Sequence, residues 1–503
     1  MKIKSEPHSR FVSPVRLCLL TITCAMLAAC AVGPDYQRPT LDVGAVYKEA
    51  ALANADGQLN KGWVQARADA ATLRSDWWVL FDDPVLTNLM HVLQVDNVDI
   101  AQAEAQYRQA QALLQSARSG LFPVVGASGS GTRSGGGTQN VGTSGGPSNQ
   151  YQLGGTVSWE PDLWGEVRRS VEANQAGVQA SAADVANVRL SMQSTLAQTY
   201  FNLRFADAQQ RLLHQTVDVY ERSFTTTQNR LAAGVAAQAD VEVSRTQLEN
   251  ARAQLLALAW QRAQYEHAIA VLQGLAPSQF SLAETRDVLK APVVPVGVPA
   301  QLLQRRPDVA AAERRTAEAN ARIGVAQAAW FPDLTLSAQG GFRSAQWAQL
   351  LTAPAQFWSL GPALALTIFD GGARQAQLDE ARAAYDAQTA SYRQTVLTAL
   401  REVEDYLVQL AVMAQQQVAQ GRALAAARES LRLTQNQYDA GLIDYLSVVQ
   451  VQTTALNAEQ SALSLQSDRL AASVLLIAAL GGGWDVQQLD EAATPRQPGQ
   501  PAR

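Results

Sequence analysis

From about Glu166 to Leu231 the chain has no proline and a single glycine, Gly177, and apolar residues recur at spacings of three and four through Val185, Val188, Met192, Leu196, Tyr200 and Leu203. That spacing lines one face of an α-helix. A second stretch, from about Ala373 to Ala440, matches it with Val396, Leu400, Val403, Leu407 and Leu410. Helices of about 65 residues are about 100 Å long, far beyond the usual helix of a globular domain. Each is followed by a glycine turn, at Gly234 and Gly441, and by a return helix. In the second return helix Leu442, Val449, Leu456, Leu463, Leu470 and Ile477 fall at sevens, which predicts coiled-coil contact between neighbouring helices. The Ala, Gln, Ser and Thr elsewhere on these helices predict a second, wettable face.

Ahead of each long helix the period changes to two. Tyr151, Leu153, Gly155, Val157 and Trp159 alternate with Gln152, Gly154, Thr156, Ser158 and Glu160. In the second half Leu334, Leu336, Ala338, Gly340 and Phe342 alternate with polar residues, as do Trp358, Leu360, Leu364, Leu366 and Ile368. A further strand, poorer in apolar residues, is predicted from Val124 to about Gly131. Two strands per half, each about 9 to 12 residues with one apolar face, have the length of outer-membrane barrel strands. On periodicity alone, an amphipathic hairpin of a soluble sheet fits equally well. The segment from Thr132 to Gln150 is dense in Gly, Ser, Thr and Asn. It lacks the Gly-Lys-Ser/Thr and the following helix of a phosphate-binding loop and reads as a surface loop.

The halves are repeats of one another. Gln228 to Gly234 recurs as Gln435 to Gly441, 207 positions on, and Gln273-Gly274 recurs in step as Leu480-Gly481. Asp99-Ile100 and Phe122-Pro123 return as Asp308-Val309 and Phe331-Pro332, offset by 209. Repeats of about 200 residues are too long for a solenoid and predict two equivalent halves of one body. The division is 76–276 for repeat 1, with a strand pair at about 122–160 and a helical hairpin at 166–273. Repeat 2 is 300–482, with a strand pair at about 333–369 and a hairpin at 373–480.

Lys2, Lys4, Arg10 and Arg16 precede an apolar run, Leu17 to Ala29, too short to span a bilayer and shaped like a secretory signal over 1–29. It ends in Leu27-Ala28-Ala29-Cys30, which resembles a bacterial lipobox with Cys30 as the lipid-bearing first residue. The other two cysteines, Cys18 and Cys24, fall inside the leader, so the mature chain has no internal disulfide to make. Ala31 follows, and in bacterial lipoproteins a residue other than Asp there permits export to the outer membrane. The formal charge is −5, and removing four basic residues and Glu6 with the leader leaves about −8, which argues against nucleic acid as a partner. No apolar stretch of spanning length follows Cys30, the densest run being Val474 to Leu480, so a membrane crossing must be made by strands. His91, His214 and His267 are scattered without metal-ligand spacing, and no nucleophile has a legible base. No enzyme, metal or cofactor is indicated.

Four strands cannot close a barrel, and an open edge in hydrocarbon leaves backbone groups unsatisfied. Two chains supply eight strands, whose interior side chains fill, whereas three supply twelve and a lumen. Here the chain resembles the TolC-like outer-membrane efflux lipoproteins of the branch serving resistance-nodulation-division (RND) pumps. The resemblance covers the whole mature chain. It rests on Cys30-Ala-Val-Gly-Pro-Asp-Tyr-Gln-Arg-Pro39, on Trp77-Trp78 with Leu80-Phe81-Asp82-Asp83-Pro84, on Trp159-Glu-Pro-Asp-Leu-Trp-Gly165, and on Leu302-Leu-Gln-Arg-Arg-Pro-Asp308.

The resemblance implies a mixed α and β fold: a homotrimeric twelve-stranded barrel continued by a periplasmic helical barrel. An equatorial mixed domain would draw on 30–75, 277–299 and the tail 483–503. It implies a passive exit duct for drugs or other small toxic solutes, working with a periplasmic adaptor (membrane fusion) protein and an inner-membrane RND-type pump, and anchored in outer-membrane lipid at Cys30. It places a periplasmic gate at the helical turns, with Leu446 where relatives carry a gate-forming leucine and with Asp240 and Asp444 beside the turns. Gln450 stands where many relatives carry an aspartate. Helix capping or ordinary turn chemistry is the alternative reading of each tip residue. Arg305, Arg306, Pro307 and Asp308 read as structural: Pro307 and Asp308 suit a first helical turn, and the arginines can anchor the segment before it. A duct for type I protein secretion and a periplasmic adaptor or structural coiled-coil lipoprotein are the competing readings. The lipobox and the Arg-Arg-Pro-Asp motif favour efflux over secretion, and paired strands before each hairpin disfavour the adaptor.

Overall fold

The computed structural model describes residues 31–41, 43–44, 47–48, 63–65, 75–135, 147–285, 291–292, 294–296, 305–487 and 489. The leader and Cys30 lie outside the described residues, as does most of the tail. In chain order the elements are β1 (Trp63–Gln65), α1 (Pro84–Asp96), α2 (Val98–Ser119), β2 (Val124–Ser134), β3 (Ser148–Trp159), α3 (Glu166–Ala232), α4 (Gln238–Leu272), β4 (Val294–Val296), α5 (Pro307–Ala328), β5 (Asp333–Ser344), β6 (Gln356–Ala365), α6 (Ala373–Asp439) and α7 (Tyr445–Ala479). Corresponding helices have equal lengths: α2 and α5 have 22 residues each, α3 and α6 have 67, and α4 and α7 have 35. The chain divides into two compact units.

The first unit, Met1–Pro39, Arg108–Ala180 and Glu313–Ser391, holds a four-stranded antiparallel sheet in the order β2-β3-β5-β6. Its register carries the period-two pattern across every strand. Val125, Val157, Ala338 and Leu360 align in one row, and Gly126, Thr156, Gln339 and Ser359 in the next. One face is therefore apolar and the other polar, and the apolar one is bare: Val125 is 75% and Leu360 76% exposed.

Two strand limits differ from the sequence reading. β2 runs on to Ser134, because Arg133 and Ser134 continue the ladder against Asn149 and Ser148; backbone pairing supplies what its side chains lack. β6 stops at Ala365, not at Ile368. Its last partner is Asp333, the first residue of β5, and Pro332 before it has no N–H to extend the ladder.

At the helix-linked edge of the sheet Trp164 stacks on Phe331 at 4.8 Å and donates to the Pro332 carbonyl at 2.8 Å. The N-terminal strap is fastened there. Val32 donates its amide to the Trp164 carbonyl at 3.0 Å. The buried Arg169 donates to the carbonyls of Val32 and Gly33 and pairs with Asp35 at 3.0 Å and Glu172 at 2.7 Å. Gly33, at φ +112°, lies against the Gly324 backbone, where a Cβ has no room.

The second unit, Thr40–Tyr107, Ser181–Ala312 and Tyr392–Arg503, is built on a core of Trp77, Trp78, Phe81, Leu86, Met90, Tyr200, Phe201, Leu407 and Ile477. Asp83 caps α1, accepting from the amides of Val85 and Leu86, and also accepts from the Tyr200 hydroxyl at 2.6 Å. β1 and β4 form a short parallel pair. Arg204 and Arg262 converge on the fully buried Asp207, at 3.0 and 2.7 Å, and donate to the carbonyls of Ala283 and Leu282. That network holds the start of the linker against the first hairpin.

The hairpins close onto the shorter helices by one device. Gly274, at φ +70°, sits against the Asp96 carbonyl just before α2, and Gly481, at φ +92°, sits against the Arg305 carbonyl just before α5. A Cβ at either glycine would collide with backbone. Arg306, buried beside this junction, grips both oxygens of Asp308, reaches Glu402 at 2.8 Å and donates to the Ala479 carbonyl at 3.1 Å. Burial works against its charge, but bonds to Asp308 and Glu402 prevail and raise its pKa.

Among the described residues one helix, α7, is long and apolar enough, by length and composition, to cross a membrane, a stretch the sequence reading did not recognise. Leu470, Val474, Leu476 and Ile477 of that helix are core residues.

Candidate functional site

The two turns that end the long helices share one geometry. Gly234 and Gly441 both have φ +75°. Gly234 donates to the Leu231 carbonyl and Val235 to the Arg230 carbonyl, each at 2.9 Å; Gly441 donates to Tyr438 and Leu442 to Gln437 at the same distances. This is the paired bonding of a left-handed helix stop. Nothing lies within 4 Å of a Cβ built on either glycine, so conformation and not space demands glycine here. The apolar residue after each glycine, Val235 or Leu442, is 73% or 75% exposed. Leu442 thus lies in the turn and not on the helical seam. Near this end the seam of α7 is Tyr445, Val448, Gln452 and Ala455, all buried; its three-and-four spacing keeps a seven-residue period in a register other than that of Leu442 and Val449.

The return helices start differently. Asp444 caps α7, accepting from the Ser447 amide at 3.0 Å and hydroxyl at 2.6 Å. The hydroxyl first, and then the amide, hold its carboxyl below the usual aspartate value. At α4 the residue before the helix is Ala237, which has no acceptor to offer, and Asp240 reaches back to accept from its amide at 3.1 Å. Both carboxylates are thus engaged with helix starts. Among the described residues neither is ion-paired with Arg230.

Arg230 instead lies over the Tyr438 ring at 4.2 Å. Tyr438 packs on Tyr445 with centroids 5.6 Å apart, and the Tyr445 hydroxyl bonds Ser223 at 2.9 Å. The two tyrosines and Val448 are buried, with Val243, Ile443 and Val449 around them. Burial raises the Tyr445 phenol above its usual value, Ser223 opposing. This aromatic clasp joins the first hairpin to the second. The sequence reading missed its tyrosines; their signal is an aromatic three residues before Gly441 and another four after it.

Leu446 lies one residue further on, in the first turn of α7, and is 61% exposed. Gln450, one helical turn on, is also exposed. Arg305 to Asp308 stand apart from this cluster, at the far end of α7, where Arg306 meets Ala479. Cys30 lies outside the described residues. No group of three or more metal-ligating side chains occurs among the described residues.

The outer membrane efflux protein family matches residues 89–275 and 298–482. The probable efflux pump outer membrane protein TtgC of Pseudomonas putida is 30% identical over 494 residues, covering 95% of this chain and 98% of its own. The cation efflux system protein CusC of Escherichia coli is 28% identical over 478 residues, covering 94% and 100%. The solved outer-membrane channel OprN superposes with a TM-score of 0.82 at 32% identity, over 90% of this chain and 100% of that one.

Proposed function

The chain belongs to the outer membrane efflux protein family and is the outer-membrane exit duct of an efflux system, and we propose that it works as a homotrimer whose three four-stranded sheets close one barrel. The observation that carries this reading is the sheet itself. Among the described residues β2 and β6 are edge strands without outer partners, and the apolar face is bare. In lipid that arrangement leaves a row of backbone groups unsatisfied on each side, and three copies remove every edge. A lumen of twelve strands is then wide enough to conduct.

In this reading the two halves descend from a duplication, so that two similar hairpins per protomer share the wall of a helical duct. The turns at Gly234 and Gly441 face a periplasmic adaptor and, through it, an inner-membrane RND-type pump that supplies the energy. Leu446 is the gate residue, three copies closing the axis. The protein performs no chemistry on its cargo. It conducts drugs or other small toxic solutes outward. Lipid on Cys30 adds an anchor to the barrel, and the strap on Arg169 fixes the chain that follows that anchor.

The native mass of the detergent-extracted protein tests the assembly. A trimer is expected, and a monomer or dimer as the sole species overturns the reading. With Cys30→Ser lipid labelling is lost, while the same variant behind an ordinary signal peptide still assembles in the outer membrane. A soluble periplasmic product would count against the barrel.

A further inference from the structure

The two strand pairs and their connecting loops, 124–159 and 333–369, contain three charged residues, Arg133, Asp333 and Arg343, and no lysine. The ends of the sheet are therefore electrically unlike. The helix-linked edge is where Val124, Trp159, Asp333 and Ala365 lie, and there Glu160 and Asp333 fall on the polar face by alternation. Arg343 falls on that same face at the opposite edge, paired with Gln152 and one residue beyond the last β5–β6 pair, Phe342 with Gln356. Its guanidinium lies over the Phe357 ring at 4.7 Å. The ring props the cation without neutralising it, and no carboxylate reaches it among the described residues. Arg133 belongs to the other, apolar face by the same alternation.

We propose that Arg343, once from each protomer, forms a ring of guanidiniums at the exterior mouth of the barrel that binds small polyanions and gives the exit a preference for anionic solutes. This rests on the trimeric reading, since one chain supplies one arginine. Rings of arginine select anions in pores, and low-dielectric walls focus their field. An arginine stays charged at every working pH. Between the two edges the polar face holds only Ser, Thr, Gln, Gly and other uncharged residues, and Asp333, the carboxylate on that face of the strands, lies ten residues away along β5 at the opposite end from the ring.

The test uses purified, full-length trimers in planar bilayers, with tripolyphosphate as the probe. Added on the barrel side, it should block the wild-type current, and Arg343→Gln should weaken that block by about tenfold or more, the scale of one lost charge-assisted contact per protomer. Arg133→Gln should block as wild type. Reversal potentials in a KCl gradient should shift toward cations in Arg343→Gln alone. Wild-type channels that show no block, an Arg343→Gln channel blocked as well as wild type, or an equal loss in Arg133→Gln would each overturn the ring.

If Arg343→Gln does not assemble, phenylglyoxal added from the barrel side to Arg133→Gln channels already in the bilayer answers the same question, because Arg343 is then the only barrel arginine. Loss of block is expected, and persistence of block overturns the proposal. Native mass separates the two levels: a species smaller than a trimer defeats the assembly, whereas a trimer without block defeats the ring alone.

Discussion

Arg230 and Tyr438, separated by 208 positions in the chain, meet with the guanidinium 4.2 Å from the ring centroid. The end of the first long helix is thereby held against the end of the second. A partly desolvated cation–π contact contributes about 0.5 to 2 kcal/mol, and the Ser223–Tyr445 bond behind it about 1 kcal/mol. Each is enough to shift a closed–open balance several-fold. Arg230→Ala and Tyr445→Phe are therefore expected to raise single-channel conductance or open time, with the trimer intact by native mass. Channels as closed as wild type in both variants would show that the clasp does not hold the gate.

Leu446 is exposed within one chain, and the proposed gate requires that its three copies meet on the axis. Leu446→Ala should raise conductance in planar bilayers and sensitise cells to vancomycin, without loss of trimer. A wild-type conductance would place the constriction elsewhere on the tips.

Asp444 caps α7, and substitution can separate that role from the cation attraction that the proposed gate assigns to its charge. Asparagine caps helices about as well as aspartate, so Asp444→Asn should keep the closed state while lowering cation preference, and Asp444→Ala should lose both. The pH dependence follows from the depressed carboxyl. The cap is at full strength above the ordinary value of 3.8 and is lost as pH falls below it through the lowered value. Leak that grows on acidification below pH 3.8 in wild type but not in Asp444→Asn is the expected pattern; identical pH curves would remove the carboxylate from the gate.

The two faces of the sheet respond oppositely to charge. Leu336 and Val157 lie on the apolar face, Ser337 and Ser158 on the polar one. Arginine at Leu336 should cost about 2 to 4 kcal/mol if it stands near the bilayer midplane, visible as a lower trimer melting temperature. Arginine at Ser337 should change conductance and leave melting nearly unmoved. Equal destabilisation at both would mean that both faces are buried in apolar surroundings.

Much of the architecture was legible in the amino-acid order, because it depends on local regularities. Long proline-free runs with a three-and-four stripe yield helices beginning at Glu166 and Ala373, and strict alternation around Val157 and Leu336 yields strands with one apolar face. The turns at Gly234 and Gly441 announce themselves because only glycine takes φ +75° without strain. Pairing decided the rest. β6 ends at Ala365 because β5 offers no partner beyond Asp333, and β2 reaches Ser134 because β3 does. The clasp of Arg230, Tyr438, Tyr445 and Ser223, the grip of Arg306 on Glu402 and Ala479, and the placement of Arg343 over Phe357 join residues from separate elements. Apart from the two tyrosines that flank Gly441, their spacing in the sequence carries no signal of contact. Periodicity is a property of neighbours along the backbone and survives in the sequence; which faces meet is set by long-range packing and hydrogen bonding, and only the folded chain brings those partners together.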